Sequence, residues 1–380
     1  MKKITAALNQ GKKVGAIFID LQKAFDTVNR ERLVKKLECY GIGEEFCGIL
    51  TSYLEDRQSC IRLENEYSEL EETRYGVPQG SILGPLLFLI YINDINSKKK
   101  LNLTLFADDI MALVIEETYE ELQINLQRNL NWIQDWCQTN ELYISEGKTK
   151  YIIFNQKSEQ NSELILHKEK CNRGTCKTSC SIIMRVNQIK YLGLEIDEKW
   201  SFAKHIEVLC KKLRQTMPKL YTIKNILNFK NKKIIYDSWI KSYILYGIET
   251  YGWAKMKEIN RIQKVQNKIV KILFGNQYCN SATEIYKKTN ILKIKQLQEY
   301  TIIIKNFYEV KTMRTEKIRD KIYKTKNTNL LPALTTNKYG ERHSSFYIPK
   351  IFSDTPEKIW ELEKIGKIKK EIFSWLKGKN

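Results

Sequence analysis

An α+β fold, an antiparallel sheet with packed helices, followed by an all-helical stretch and a basic C-terminal region is what this sequence predicts. Three observations predict it. Short apolar runs in the first half lead into or flank acidic residues: 14–19 runs into Asp20, and 103–106 and 110–115 flank Ala107-Asp108-Asp109. Between such runs, apolar residues recur at helical spacing. After about Trp200 the strand signal fades, and residues 202–274 read as helical. A sheet with an apolar face must cover it, and helices lying on that face do so.

Residues 1–13 read as the tail of a helix ending near Gly11, and 14–19 as a buried strand that delivers Asp20 at its end. Helical spacing through Phe25, Val28, Leu33 and Leu37 predicts a helix over 24–40, with Asp26 as its cap. Gly41 and Gly43 end it, and 46–54 resumes the pattern. Residues 59–63 and 70–75 form a hairpin leading to Gly76-Val77-Pro78-Gln79-Gly80-Ser81. A compact helix follows over 83–92, with Pro85 tolerated in its first turn. Leu122, Leu126, Leu130, Ile133 and Cys137 make the stripe of an amphipathic helix that packs on the sheet. Strands are expected at 150–154 and 190–196. Beyond these, Leu209, Leu213, Met217 and Leu220 begin a helix, with more at 234–253, 259–274, 296–312 and 358–376.

At 380 residues the chain is long enough for two or three units. The formal charge of +20 favours a polyanionic partner, most simply nucleic acid; a basic solubilising surface is the alternative. Nine dispersed cysteines, an odd number, read as thiols in a reducing compartment. The N-terminus lacks the apolar core of a signal peptide, and the apolar run 82–92 falls short of the roughly 18 residues of a membrane span. The expectation is a soluble intracellular protein with no membrane partner.

A carboxylate at one strand end and two more in a tight turn between adjacent strands can converge without strain. Such oxygen donors suit Mg²⁺, which is held by one or two carboxylates together with substrate phosphates. Asp20 and Asp108 are the main candidate ligands and Asp109 the third acidic member. An isolated Asp-Asp pair is ordinarily just a turn; the flanking apolar strands and the upstream acid argue otherwise. Gln79, between Pro78 and Gly80, either faces a cleft or belongs to a structural turn. Phe25 is a core aromatic or a flat wall under a sugar. Lys148 is placed to neutralise phosphate, although any one lysine in so basic a chain is a weak pointer.

With these motifs in view, the chain resembles the reverse transcriptase region of non-LTR (LINE-type) retrotransposons. Residues 18–26, from Phe18-Ile19-Asp20 to Phe25-Asp26, resemble the family's first palm motif. Residues 76–81, continuing through Leu83, Pro85, Leu86, Phe88 and Tyr91-Ile92-Asn93-Asp94, resemble the second. Phe106-Ala107-Asp108-Asp109 is similar to the third, Lys148-Thr149-Lys150 with Ile153-Phe154 to the fourth, and Tyr191-Leu192-Gly193 to the fifth. The resemblance implies a right-hand polymerase: a helical lead-in at 1–13, a palm at 14–198, a helical thumb at 199–275 and a basic, mainly helical region at 276–380. It implies an RNA-directed DNA polymerase adding dNTPs to a DNA primer 3′-hydroxyl on an RNA template. Two Mg²⁺ ions, replaceable by Mn²⁺, would sit on Asp20, Asp108 and Asp109. Leu21, Phe25, Gln79 and Lys148 are implied around the nucleotide, with Phe25 discriminating the sugar and Lys148 near pyrophosphate. Tyr191, Leu192 and Gly193 are implied to grip the primer strand. A nuclear location with a cytoplasmic ribonucleoprotein stage goes with the family.

Only 19 residues precede Asp20, so the family's fingers region and N-terminal endonuclease are expected to be missing. That leaves a second expectation open: a catalytically inactive nucleic-acid-binding or assembly subunit, or a chain whose protein partner supplies the fingers.

Several residues stand apart. His167, Cys171, Cys176 and Cys180 are zinc-ligand types within one polar insertion, which reads equally as a basic loop carrying Lys168, Lys170, Arg173 and Lys177. Cys137 and Cys210 suit apolar packing. His205 and His343 read as surface or helix-end residues. Tyr236, Trp239, Tyr243, Tyr246, Tyr251 and Trp253 are core aromatics by helical spacing, or stacking platforms for single strands. Lys211, Lys212, Arg214, Lys230, Lys232 and Lys233 are candidates for phosphate contact.

Overall fold

The structure, a computed structural model, describes residues 2–97, 101–156, 163–168, 171, 180–278, 281–320 and 339–379. The chain divides into two compact units, one of residues 12–187 and one of residues 1–11 with 188–380. The fifth motif and the strand expected around it thus group with the helices after residue 200, as does α1 (Lys2–Asn9).

The unit of residues 12–187 is built on β1 (Lys13–Ile19), whose residues after Lys13 are all buried. The chain then runs through α2 (Arg30–Cys39), α3 (Glu44–Leu54), four two-residue strands β2 (Gln58–Ser59), β3 (Arg62–Leu63), β4 (Glu66–Tyr67) and β5 (Glu71–Glu72), and α4 (Leu83–Ile92). It continues with β6 (Asn102–Phe106), β7 (Asp109–Glu116), α5 (Tyr119–Thr139), β8 (Lys150–Phe154), β9 (Leu164–Leu166) and β10 (Ser181–Arg185). Six strands form one sheet in the order β6-β7-β1-β8-β10-β9, antiparallel except between β8 and β10. The hairpin expected at 59–75 is present as two nested pairs, β2 with β5 and β3 with β4.

The core lies on one sheet face. Ile17, Ile19, Ile110, Ala112 and Val114 point into it from the sheet, and Leu122, Leu126, Leu130 and Ile133 of α5 cover them together with Phe88 and Tyr91 of α4. Each fully buried leucine contributes on the order of 2 kcal/mol through removal of apolar surface from water. The α5 start is secured by a capping box, in which Thr118 accepts from the Glu121 N–H and the Glu121 carboxylate accepts from the Thr118 N–H.

One helix starts later than its spacing predicts. Residues 23–27 form a tight turn, with Lys23 at φ 44° and the Asp26 N–H donating to Lys23 O at 2.8 Å. The cap of α2 is therefore Asn29, which accepts from the Arg32 N–H at 2.9 Å; Asp26 is not the cap.

In the second unit, β11 (Gln188–Tyr191) and β12 (Leu194–Asp197) pair antiparallel, so the expected strand 190–196 is a hairpin. Its two turn residues, Leu192 and Gly193, both have positive φ, 45° and 75°, which matches the right-handed twist of the flanking strands. Helices follow: α6 (Ala203–Ile223), α7 (Phe229–Ile235), a π-helical turn (Tyr236–Ile240), α8 (Lys241–Leu245), α9 (Ile248–Tyr251) and α10 (Met256–Tyr278). The rest are α11 (Ala282–Thr289), α12 (Ile294–Asp320), α13 (Ser344–Ser353), α14 (Glu357–Trp360) and α15 (Ile365–Gly378). The helix expected over 234–253 is widened at Tyr236–Ile240 and broken after Leu245. Gly247 takes φ 71°, and a Cβ there would lie 2.5 Å from the Leu194 side chain. The expected 358–376 helix is likewise divided between α14 and α15. Among the described residues no helix is long and apolar enough to cross a membrane.

Candidate active site

Sheet register assembles the carboxylates. Ile19 pairs with Ile110 across β1 and β7, and Phe106 pairs with Asp109 across β6 and β7. One step beyond β1, Asp20 therefore stands opposite Asp109, where antiparallel partners have Cα atoms about 5 Å apart. Asp108 shares the two-residue turn with Ala107, which adopts φ 50° to close it. On its other side Asp20 is pinned by Ser145, whose N–H donates to Asp20 O at 2.8 Å, and by a bridge from Leu21 to Ile144. The Asp20 N–H faces the buried Oγ1 of Thr149, a residue of the fourth motif, at 3.4 Å.

All three carboxylates are half-buried. Burial pushes the Asp109 carboxyl above its ordinary range, and the charges of Asp108 and Asp20 push it further in the same direction. A cation would relieve that repulsion, so three half-buried oxygen donors whose charges act on one another suit a divalent metal ion. Lys148 already supplies one positive charge, with Nζ 3.5 Å from Asp20 Oδ1. Its side chain is 73% exposed, so this pair is worth at most about 1 kcal/mol and leaves the lysine available to an incoming anion.

The second motif wraps onto the turn that follows Asp20. The Val77 N–H donates to Phe25 O and the Gly76 N–H to Val28 O, both at 2.8 Å. Gly76 sits at φ 88°, and any Cβ there would lie 2.8 Å from the Asp26 Cα. Arg30, unmarked in the sequence, donates from Nε to Gly76 O at 3.0 Å and holds the loop from outside. Gln79 is exposed and its Nε2 donates to Asp26 Oδ1 at 2.8 Å, which gives Asp26 a task other than capping. Phe25 packs on Phe88 with ring centroids 4.8 Å apart while remaining half-exposed. The Leu21 side chain is buried in the core, so a bound nucleotide can meet only its main chain.

Tyr191, Leu192 and Gly193 lie in the other unit, at the hairpin tip, where the Tyr246 hydroxyl donates to Leu192 O at 2.6 Å. Of the basic candidates there, Lys211, Lys212, Arg214 and Lys230 are exposed. Lys232 is buried, and Lys233 is engaged with Asp237 at 3.0 Å and with Asn290 O at 3.1 Å, so these two are not open phosphate contacts. Tyr236 and Tyr251 are core residues, and Trp253 stacks on Tyr347 at 4.6 Å. Cys137 and Cys210 are buried as expected. His205 is no surface residue: it is buried against Tyr251, with ring centroids 5.0 Å apart. His343 caps α13. His167, Cys171 and Cys180 come together, and Cys176 lies outside the described residues.

Known proteins bear on this arrangement. The profile of the family described as "Reverse transcriptase (RNA-dependent DNA polymerase)" matches residues 1–196. The chain is similar to the probable RNA-directed DNA polymerase from transposon BS of Drosophila melanogaster, 29% identical over 306 residues, covering 78% of this chain and 33% of that protein. It is also similar to the RNA-directed DNA polymerase from mobile element jockey of the same organism, 23% identical over 363 residues, covering 92% and 37% respectively. The chain thus spans about a third of the length of these relatives. Among solved structures, telomerase from Candida albicans in complex with a fragment of telomeric RNA aligns with TM-score 0.42 and 13% identity, over 77% of this chain and 54% of that one. With a family profile matching residues 1–196, just over half of the chain, this chain belongs to the reverse transcriptase (RNA-dependent DNA polymerase) family.

Proposed function

We propose that the chain is an RNA-directed DNA polymerase that adds deoxynucleotides to a primer 3′-end. The observation that carries this reading is the register that sets Asp20 opposite Asp109, with Asp108 in the adjoining turn. In the reaction the primer 3′-hydroxyl gives up its proton to water, its oxygen attacks the α-phosphorus of a dNTP, a new P–O bond forms, the α–β bridging P–O bond breaks and pyrophosphate leaves. Asp20, Asp108 and Asp109 would hold two Mg²⁺ ions, which when bound acidify the 3′-hydroxyl and neutralise charge on the phosphates. Lys148 then exchanges its contact with Asp20 for the triphosphate, compensating charge as pyrophosphate departs. Phe25, anchored on Phe88, offers a flat ring to the sugar, and Gln79 lies beside it through its bond to Asp26. Tyr191, Leu192 and Gly193 are assigned to the primer strand, and RNA is the template. Nuclear action with a cytoplasmic ribonucleoprotein stage belongs to the same proposal.

Primer extension on an RNA template with Mg²⁺, using the full chain and its Asp108→Ala, Asp109→Ala variant, tests it. The expected outcome is dNTP-dependent extension that falls by at least about 10²-fold in the variant, since metal ions supply several kcal/mol of transition-state stabilisation. Equal signal from both proteins, or no extension while both still bind nucleic acid in a salt-sensitive way, would reject polymerase activity for this chain.

A further inference from the structure

Strands β9 and β10 form the last antiparallel pair of the sheet, registered Leu166 to Ser181, Ile165 to Ile182 and Leu164 to Ile183. One step past that register, His167 leaves β9 opposite Cys180, which enters β10. Sheet geometry alone thus brings an imidazole and a thiol together at the mouth of the connection. Cys171 brings a third donor to the same point: its N–H donates to Lys168 O at 3.0 Å, and its Sγ lies 3.5 Å from His167 Nδ1. The Lys168 N–H donates to Cys180 Sγ at 3.3 Å. All three donor atoms fall within 4.8 Å of one another.

These separations suit one ion in particular. With Zn–S about 2.3 Å and Zn–N about 2.0–2.1 Å, a tetrahedral site has sulfur and nitrogen about 3.6 Å apart and two sulfurs about 3.8 Å apart. The sulfur–nitrogen distance is already there, and the remaining separations need close by no more than about 1 Å. Two sulfurs and a nitrogen are the wrong donors for Mg²⁺ and the right ones for Zn²⁺. The support behind the ligands is built as well. Buried Gln134 of α5 clamps the His167 main chain at both ends, its Nε2 donating to His167 O and its Oε1 accepting from the His167 N–H at 3.2 Å. A ligand backbone held this way by a long helix is pre-positioned, as outer-shell partners do in metal sites.

We infer that His167, Cys171 and Cys180 form a structural zinc site that locks the β9–β10 connection to the palm sheet. Water or one further donor completes the tetrahedron, and Cys176, outside the described residues, is not required. The site is independent of the polymerase reading, since none of its donors belongs to the carboxylate cluster.

The full chain, prepared metal-free under reducing conditions, is titrated with Zn²⁺ and separately with Co²⁺. The expected result is one equivalent bound, with Co²⁺ giving a thiolate charge-transfer band and tetrahedral d–d absorption. Cys171→Ser and Cys180→Ser should each weaken binding by at least about 10-fold. Cys39→Ser and Cys60→Ser, which alter exposed thiols elsewhere, should leave it unchanged. The cobalt spectrum of the unaltered chain decides even if a variant misfolds. Absence of the charge-transfer band, equal loss in the Cys39 and Cys60 variants, or a Cys171–Cys180 disulfide recovered under the same reducing conditions would each overturn the inference.

Discussion

A buried imidazole should make the helical unit sensitive to acid. His205, in the first turn of α6, is buried, and burial lowers its pKa below the usual 6.5; Lys212 acts in the same direction and Glu195 in the opposite one. Its Nδ1 accepts from the Glu195 N–H at 3.5 Å, and among the described residues Nε2 has no hydrogen-bond partner. A proton on Nδ1 would end that contact, while the Tyr251 ring offers only a tilted face. Since the folded chain binds the proton more weakly than the unfolded chain, the stability tied to neutral His205 is fully present above pH 6.5 and is lost as pH falls below it. Tm of the second unit, followed by calorimetry from pH 8 to 5, should drop more steeply in the native chain than in His205→Asn, whose amide oxygen can still accept from the Glu195 N–H. Parallel slopes would remove His205 as the cause.

At the scale of elements, α5 supports the sheet beneath the carboxylates. Its stripe of Leu122, Leu126, Leu130 and Ile133 is buried against β1 and β7, so any loosening of its first turn reaches the strands that carry Asp20 and Asp109. Thr118→Ala removes the acceptor for the Glu121 N–H and half of the capping box. The expected cost is about 1 kcal/mol, read as a fall of about 2–4 °C in the melting of the unit of residues 12–187. Thr118→Ser, which keeps the hydroxyl, should recover most of it. An unchanged Tm for the alanine variant would show that packing alone holds the helix start.

Across the whole molecule, the excess of 64 basic over 44 acidic residues should make nucleic-acid binding strongly dependent on salt. Lys211, Lys212 and Arg214 present three exposed cations on α6. If each meets a backbone phosphate of single-stranded RNA, replacing all three with Gln should reduce the slope of log K against log salt by about 2, with little change in sequence preference. Fluorescence anisotropy over a salt series measures it, and an unchanged slope would move the nucleic-acid path elsewhere.

The sequence by itself determined the elements whose cause is local. Apolar runs announced β1, β7 and β8; the heptad-like stripe announced α5; and acids bounded by those runs marked Asp20, Asp108 and Asp109 as one group. Period and punctuation suffice there because neighbours along the chain impose them. Tertiary structure decided whatever depends on partners far away in sequence. The α2 start moved to Arg30 because a turn at Lys23 is held against the loop at Gly76, and Asp26 became the acceptor for Gln79. The helix after Ile235 ended at Leu245, the left-handed position that follows is glycine at 247 where Leu194 occupies the space a side chain would need, and Lys233 was taken by Asp237 and Asn290. His167 and Cys180 met because β9 pairs with β10 across an intervening connection. Propensity carries no information about such pairings: their free energy comes from side chains that become neighbours only once the chain has folded.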